Sequence, residues 1–437
     1  MDPHPSTSRR DFLKTSSVAA VGAGLAQISL QSSVYASGDD SVKIGLIGAG
    51  GRGTGAASQA LSVAPNAKLT AVGDIFENAA QVAASNIKGA IGDKASRVTV
   101  TPETTFSGFD AYKKVIESGV HLVILATPPG FRPIHFEYAV NAGKHVFMEK
   151  PVAVDSVGVR MVLAANEIAK QKKLKVGVGL QRHHQVGYLE TIQRLKDGAI
   201  GDILALRVYW NGGGVWDPRV SWEKKTSEME YQIKNWYYYN WLSGDHINEQ
   251  HIHNLDVGCW VKGKYPVKCN GMGGRQFRTD KKYGEIFDHH YVEYEFDDGT
   301  IMYSQCRHIP NCWNSVSEHA HGSKGTVDIS GYKIDGAEKW RYRGPNPNPY
   351  QVEHDDLHAA IRSGAEYNEG DNGAYSTMTA IMGRDATYSG QVINWDDAMK
   401  SEISLMPKVF SFDADPPVKA DAEGRYPVPM PGQTKVL

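Results

Sequence analysis

The chain has 437 residues, 41% hydrophobic and 22% charged, with a formal net charge of −2. These values exclude a disordered or fibrous chain, and they give no bulk electrostatic reason to bind nucleic acid. The length predicts two or three domains, each large enough for its own core.

The chain opens on Ser8-Arg9-Arg10-Asp11-Phe12-Leu13-Lys14, which matches the twin-arginine export signature. A mildly apolar stretch over residues 15–30 follows, too short and too polar to span a membrane. Val34-Tyr35-Ala36 then offers small residues where a signal peptidase reads. Residues 1–36 are therefore expected to be a cleaved signal peptide. The mature protein is expected in the periplasm, or otherwise outside the cytoplasm, with no membrane attachment. Proteins on this route cross the membrane folded, which suits a chain that takes up its cofactor beforehand.

Residues 42–47 read as a buried parallel strand, ended at once by Gly48-Ala49-Gly50-Gly51-Arg52-Gly53 and a helix over 54–61. Strand, Gly-x-Gly-x-x-Gly and helix in that order are the setting of a dinucleotide site. Gly48 allows the turn, Gly50 lets a pyrophosphate approach, and Gly53 lets the helix pack on the strand. The amides at the helix start attract phosphate charge, with Arg52 beside them. A second strand over 68–73 ends at Asp74, 21 residues after Gly53. A carboxylate there binds ribose hydroxyls and repels a 2′-phosphate. Ile75 and Phe76 follow, with no arginine to receive one, so NAD is expected rather than NADP. The alternative role for Asp74 is a helix cap.

Further strands are predicted over 121–126 and 144–148, with a helix over 134–142 between them. They end in Thr127-Pro128-Pro129 and Glu149-Lys150-Pro151. Alternation of strands and helices implies a doubly wound parallel sheet whose ligand lies at the carboxyl strand ends. Asp74, Thr127 and Lys150 should therefore meet in one crevice.

Through Ala126-Thr127-Pro128 and Gly143-Lys144-His145-Val146-Phe147-Met148-Glu149-Lys150-Pro151 the chain resembles the Gfo/Idh/MocA family, which includes glucose–fructose oxidoreductase and inositol dehydrogenase. The resemblance implies an α/β chain: a Rossmann domain, taken as residues 37–165, and an α+β domain with a large open, mostly antiparallel sheet, taken as 166–412. An extended arm, loose or wrapped on a neighbouring subunit, would follow from 413 to 437. It also implies a homodimer or homotetramer. Ile75, Thr127, Pro128, Glu149 and Lys150 join the glycines, Arg52 and Asp74 as expected cofactor contacts.

The resemblance places Lys150 beside the nicotinamide and the substrate hydroxyl. It places His253 on the family's catalytic histidine and Glu249 on the aspartate of its Asp-x-x-x-His helix. Glu for Asp is a departure, although positions i and i+4 of one helix share a face. A histidine suits proton removal from an alcohol, and Lys150 can stabilise the developing alkoxide. A buried structural histidine is the competing reading of His253.

A strand over 174–180 leads to Gln181-Arg182-His183-His184, so Arg182 and His183 are expected to face the substrate; a salt bridge is the alternative for Arg182. Strands are predicted over 203–210, 291–296, 300–306 and 325–329, with an Asp-Gly hairpin turn at Asp298-Gly299. Asn235-Trp236-Tyr237-Tyr238-Tyr239-Asn240-Trp241 could form a sugar-stacking platform, led by Trp236, or could pack in a core or interface. Helices are predicted over 357–363 and 376–389. His246, His251, His253, His289 and His290 crowd one region, but their spacing matches no established zinc motif. His251 is assigned to substrate and no metal is expected. The four cysteines form no Cys-x-x-Cys, and an oxidising compartment would permit a Cys306–Cys312 bridge.

The expected function is hydride transfer at a sugar or glycoside hydroxyl with tightly bound NAD. An exported enzyme meets no free NAD pool, which favours a redox-neutral sequence of oxidation, elimination, hydration and reduction that cleaves a glycoside. The alternatives are a simple sugar or polyol dehydrogenase, a two-substrate sugar oxidoreductase, and a sugar-binding protein on a dead enzyme fold.

Overall fold

Val42–Ile47 (β1) is an almost unbroken apolar run, buried on both faces, as a central parallel strand must be. It is hydrogen-bonded on one side to Ala67–Asp74 (β2) and on the other to Leu122–Leu125 (β4). The computed structural model describes residues 41–63 and 66–437. The expected export signal, residues 1–36, lies outside them. Thr105–Ser107 (β3), His145–Met148 (β5) and Val176–Val178 (β6) complete a six-stranded parallel sheet of order β3-β2-β1-β4-β5-β6. The order reverses between β1 and β4, which opens a crevice at the carboxyl strand ends. The sixth strand lies past residue 165, within the stretch assigned from sequence to the second domain.

The helix Gly51–Ser62 presents Ala56, Ala57, Ala60 and Leu61 to this sheet. Small residues let it lie close to Ile44, Leu46, Leu69, Val72, Ile124 and Phe147, which form the core beneath it.

The second sheet has nine strands in the order β14-β13-β12-β11-β7-β10-β9-β8-β15. They are Ile203–Gly212 (β7), Lys268–Gly274 (β8), His289–Glu295 (β9), Ile301–His308 (β10), Ser315–Gly322 (β11), Gly325–Asp328 (β12), Lys333–Asp335 (β13), Lys339–Arg341 (β14) and Ile393–Asn394 (β15). Every pairing is antiparallel except β7 with β10. The β9–β10 hairpin closes through Gly299 at φ +82°, the left-handed conformation that the Asp-Gly pair predicts. Helices Ile252–Lys262 and Gly370–Ser389 pack on this sheet. Exposed Leu204, Met272, Tyr303 and Val316 project from its strands.

The arm beyond residue 412 makes contacts with its own chain. Tyr426 donates to Glu228, Gln232 donates to the Val418 carbonyl at 2.7 Å, and the Gly432 amide bonds Ser389. Burial of the Tyr426 ring against Trp222 and Tyr239 fixes it there. Cys306 is buried in β10 and Cys312 is exposed past the strand end, so both thiols are free. Among the described residues, no helix is long and apolar enough to cross a membrane.

Candidate active site

The crevice is a cavity of about 750 Å³ lined from both sheets. On the parallel-sheet side the chain turns out of β1 through Gly48 at φ +93°. A Cβ on Gly53 would sit 1.9 Å from the Gly48 carbonyl oxygen, so this glycine is needed for packing and does not itself line the cavity. Gly50 and Gly51 face open space, with no atom within 4 Å of a notional Cβ. That is the cradle a dinucleotide pyrophosphate requires, at a helix N-terminus whose amides point outward.

Asp74 closes one end of this cradle. Its Oδ2 accepts from the Ala49 amide at 2.7 Å and its Oδ1 from Phe76 at 2.9 Å. Burial raises its pKa, and those backbone bonds oppose the shift. Ile75, Thr127 and Pro128 line the same end. Beneath them Arg132 is buried and donates to the carbonyls of Thr127 and Pro151, tying two strand tips together. Burial lowers its pKa only to about 10, so it stays charged at neutral pH. Arg52 and Glu149 pair with each other, and Arg52 reaches Glu353 at 3.3 Å. The ring of Tyr350 stacks on that guanidinium at 5.0 Å.

The middle of the cavity holds Lys150, Glu249 and His253. Lys150 Nζ donates to Glu249 Oε1 at 3.0 Å and to the Glu249 carbonyl. Burial raises the pKa of Glu249, and the ammonium of Lys150 opposes that. His253 is pulled well below its usual pKa by burial first and by Lys150, Arg182 and Arg52 next. It is a neutral imidazole at neutral pH, set against the indole of Trp210 at 6.0 Å between centroids.

The expected Glu249–His253 dyad is not formed. The helix is broken: His246–Glu249 ends at Gln250, and Ile252–Lys262 begins after it. Positions i and i+4 therefore do not share one face. Glu249 turns to Lys150, and His253 Nδ1 has no hydrogen-bond partner among the described residues.

Three of the four residues assigned to substrate lie outside the cavity. Arg182 is buried in an ion pair with Glu318, which also accepts from Tyr188 at 3.0 Å. His251 is buried against Ser304 Oγ at 2.8 Å. His183 bonds Asp256 at 2.8 Å and stacks on Trp260. Each satisfies a buried polar partner that the sequence does not reveal. Trp236 lines the cavity, while Tyr237, Tyr238, Tyr239 and Trp241 are buried in a packed aromatic core. Trp210, Trp216, Arg219, Gln250 and Tyr350 also line the cavity and were not anticipated. Trp216 and Arg219, two and five residues past Asn211-Gly212-Gly213-Gly214, were the legible sign of a ligand-facing loop.

His183 and its neighbour His184 carry a pH prediction. Burial lowers both pKa values, but Asp256 acting on His183, and Glu369 with Asp356 acting on His184, outweigh it and leave both raised. A raised histidine pKa stabilises the fold fully below the unfolded value of about 6.5 and loses that contribution as pH rises through the folded value. The melting temperature should therefore fall by a few degrees as pH rises above about 6.5, in keeping with charged hydrogen bonds of about 1.5–3 kcal/mol. Thermal melts of the His183→Gln/His184→Gln protein should lack that decline; an unchanged slope would assign it elsewhere.

Residues 42–180 match the Gfo/Idh/MocA model, an oxidoreductase family with an NAD-binding Rossmann fold. The chain is 28% identical over 218 residues to 2,7-anhydro-N-acetylneuraminate hydratase of Escherichia coli K12, covering 48% of this chain and 51% of that one. It thus spans about half the length of that relative. It is 35% identical over 265 residues to inositol 2-dehydrogenase of Klebsiella pneumoniae strain 342, covering 60% of this chain and 66% of that one. Scyllo-inositol dehydrogenase from Lactobacillus casei, solved with NAD(H) and scyllo-inositol, shares its fold at TM-score 0.62 and 20% identity, covering 82% of this chain and 99% of that one.

Proposed function

We propose that the protein, whose residues 42–180 match the Gfo/Idh/MocA oxidoreductase model, is an oxidoreductase of that kind and transfers hydride at a hydroxyl-bearing carbon of a sugar, polyol or glycoside. The carrying observation is the convergence of Gly50, Asp74, Lys150, Glu249 and His253 on one cavity. NAD held there supplies the hydride acceptor and, in a closed cycle, the donor. Gly48, Gly50 and Gly51 would hold its pyrophosphate, and Asp74 its ribose hydroxyls.

The neutral imidazole of His253 takes the hydroxyl proton as the carbon loses hydride. The Lys150 ammonium, oriented by Glu249, stabilises the oxygen as it gains charge. Trp236 and Trp216 offer apolar faces to a sugar ring. Relatives named as inositol 2-dehydrogenases support the polyol or sugar class.

The finer reading is a redox-neutral glycosidase that retains NAD. Oxidation of a ring hydroxyl acidifies the adjacent C–H; loss of that proton expels the glycosidic oxygen; water adds to the new double bond; reduction restores the alcohol. A relative named as an anhydro-sugar hydratase supports it, as does the export signature at Arg9-Arg10, since a cofactor outside the cytoplasm must be regenerated in place. We place a homo-oligomer contact on the strand face that exposes Leu204, Met272 and Tyr303.

The test is purified full-length protein, assayed without added NAD against aryl glycosides and free sugars. Leaving-group release and reduced-nicotinamide absorbance are followed together. Bound nucleotide with turnover and no net reduction is the expected result. Stoichiometric NADH from a free sugar, with strict need for added NAD, would establish the simple dehydrogenase instead. Absence of both would leave a sugar-binding protein.

A further inference from the structure

One buried polar group has no part in that chemistry. Asp245, at φ +71°, caps the short helix His246–Glu249. Asp245, His246 and His290 are all buried, and one ligand atom from each lies within 4.8 Å of the others. Asp245 Oδ1 is 3.8 Å from His246 Nε2, and Asp245 Oδ2 is 3.3 Å from His290 Nε2.

The hydrogen bonds around His290 fix its tautomer. Thr387 Oγ1 donates its single proton to the Arg384 carbonyl at 2.8 Å. It must therefore accept from His290 Nδ1, also 2.8 Å away. In a neutral imidazole that leaves a bare lone pair on Nε2, aimed at a carboxylate oxygen. Two lone pairs facing at this distance need a cation between them. A proton would serve that pair alone. His246 presents a second deficit, because neither of its ring nitrogens has a hydrogen-bond partner among the described residues. His308 stacks on its face at 4.1 Å and supplies none.

We propose that Asp245, His246 and His290 bind one divalent transition-metal ion, zinc in the first instance, through the two Nε2 atoms and a carboxylate oxygen. Tetrahedral zinc, with bonds of about 2.0–2.1 Å, sets its ligand atoms about 3.3 Å apart. Asp245 Oδ2 and His290 Nε2, 3.3 Å apart, already stand at that spacing, and His246 Nε2, 3.8 Å from the other carboxylate oxygen, needs a small movement of its imidazole to join them. The outer partners are in place. Asp245 Oδ2 accepts from the Phe287 amide at 2.9 Å and from Tyr388 at 2.5 Å, and Thr387 orients His290, as hydrogen-bonded ligands of a metal are oriented. The fourth position is left for water. The ion would pin the start of the helix whose last residue, Glu249, meets Lys150.

The test is metal analysis of purified full-length protein after dialysis, then titration of chelator-treated protein with Zn²⁺ and with Co²⁺. About one zinc per chain, visible d–d absorption of the cobalt form, and a melting temperature that drops on chelation and returns with Zn²⁺ are expected. His246→Ala and His290→Ala should each weaken metal binding at least tenfold. His308→Gln, which removes the stacked ring and its bond to Gln250 but no proposed ligand, should keep metal binding. No stoichiometric metal, no cobalt absorption and a melting temperature indifferent to chelator and Zn²⁺ would overturn the proposal, and these readouts on the unaltered chain stand even if a variant fails to fold. Equal metal content in wild type and both alanine variants would overturn it as well. None of these readings depends on the substrate or on NAD.

Discussion

Lys150→Met should lower turnover by about two to three orders of magnitude while leaving bound nucleotide and melting temperature nearly unchanged. The ammonium is the cation that meets Glu249 at the centre of the cavity. A fixed positive charge aimed at a developing oxyanion in a partly dehydrated site contributes about 10²–10³ in rate. Its removal leaves Glu249 without its ion-pair partner, but burial already favours the protonated carboxyl, so the site neutralises itself and the fold survives. The loss should fall on kcat rather than KM, since the charge matters most as the oxygen becomes anionic. His253→Asn should cost about 10²–10⁴ through loss of the proton acceptor. Because burial holds His253 well below its usual pKa, the unaltered enzyme should lose no activity as pH falls through 6.5. Steady-state kinetics with the nucleotide content measured on the same samples decides this. A fall of less than tenfold in Lys150→Met would remove Lys150 from the chemistry.

Gly53→Ala should abolish nucleotide retention and lower the melting temperature by several degrees. The new Cβ would lie 1.9 Å from the Gly48 carbonyl oxygen, which belongs to backbone and cannot rotate away. Forcing the helix off the turn costs about 1–3 kcal/mol, or more where the neighbour is rigid. It also displaces the amides that face the phosphate. Gly50→Ala is the contrasting case. Nothing lies within 4 Å of its notional Cβ, so stability should not move, yet the methyl fills the space a pyrophosphate must enter. Nucleotide released on denaturation, measured beside thermal melts, separates the two effects. Full retention in Gly50→Ala would put the pyrophosphate elsewhere.

Much of the parallel sheet was legible because its signals are local. The apolar run of β1, the glycines after it and Asp74 at the tip of β2 each follow from neighbouring residues. The proposed catalytic cluster was legible only as membership. Glu249 and His253 do share the cavity with Lys150, but their mutual geometry depends on a helix break at Gln250 and His251, for which no proline or glycine gives warning. Arg182 was misassigned because its partner, Glu318, comes from β11, 136 residues away. The run from Trp236 to Trp241 has the composition of a sugar platform, yet most of it fills a core. Burial there is decided by strands and arm segments that no local pattern names. Asp245 passed unnoticed beside its histidines, because three residues from two distant segments make no motif.

Lys150 comes from the parallel sheet, and Glu249 and His253 come from the other unit. The two are stitched by Val152 N to Thr377 Oγ1 at 3.1 Å, by Asn248 Nδ2 to the Ala153 carbonyl at 3.0 Å, and by Arg384 Nη1 to the Val154 carbonyl at 2.6 Å. Neither half, taken alone, owns a reaction. A chimera that swaps one half for a relative's keeps its chemistry only if both shores of this seam are exchanged together. Damage to the stitching will read as a lost enzyme long before it reads as a lost fold.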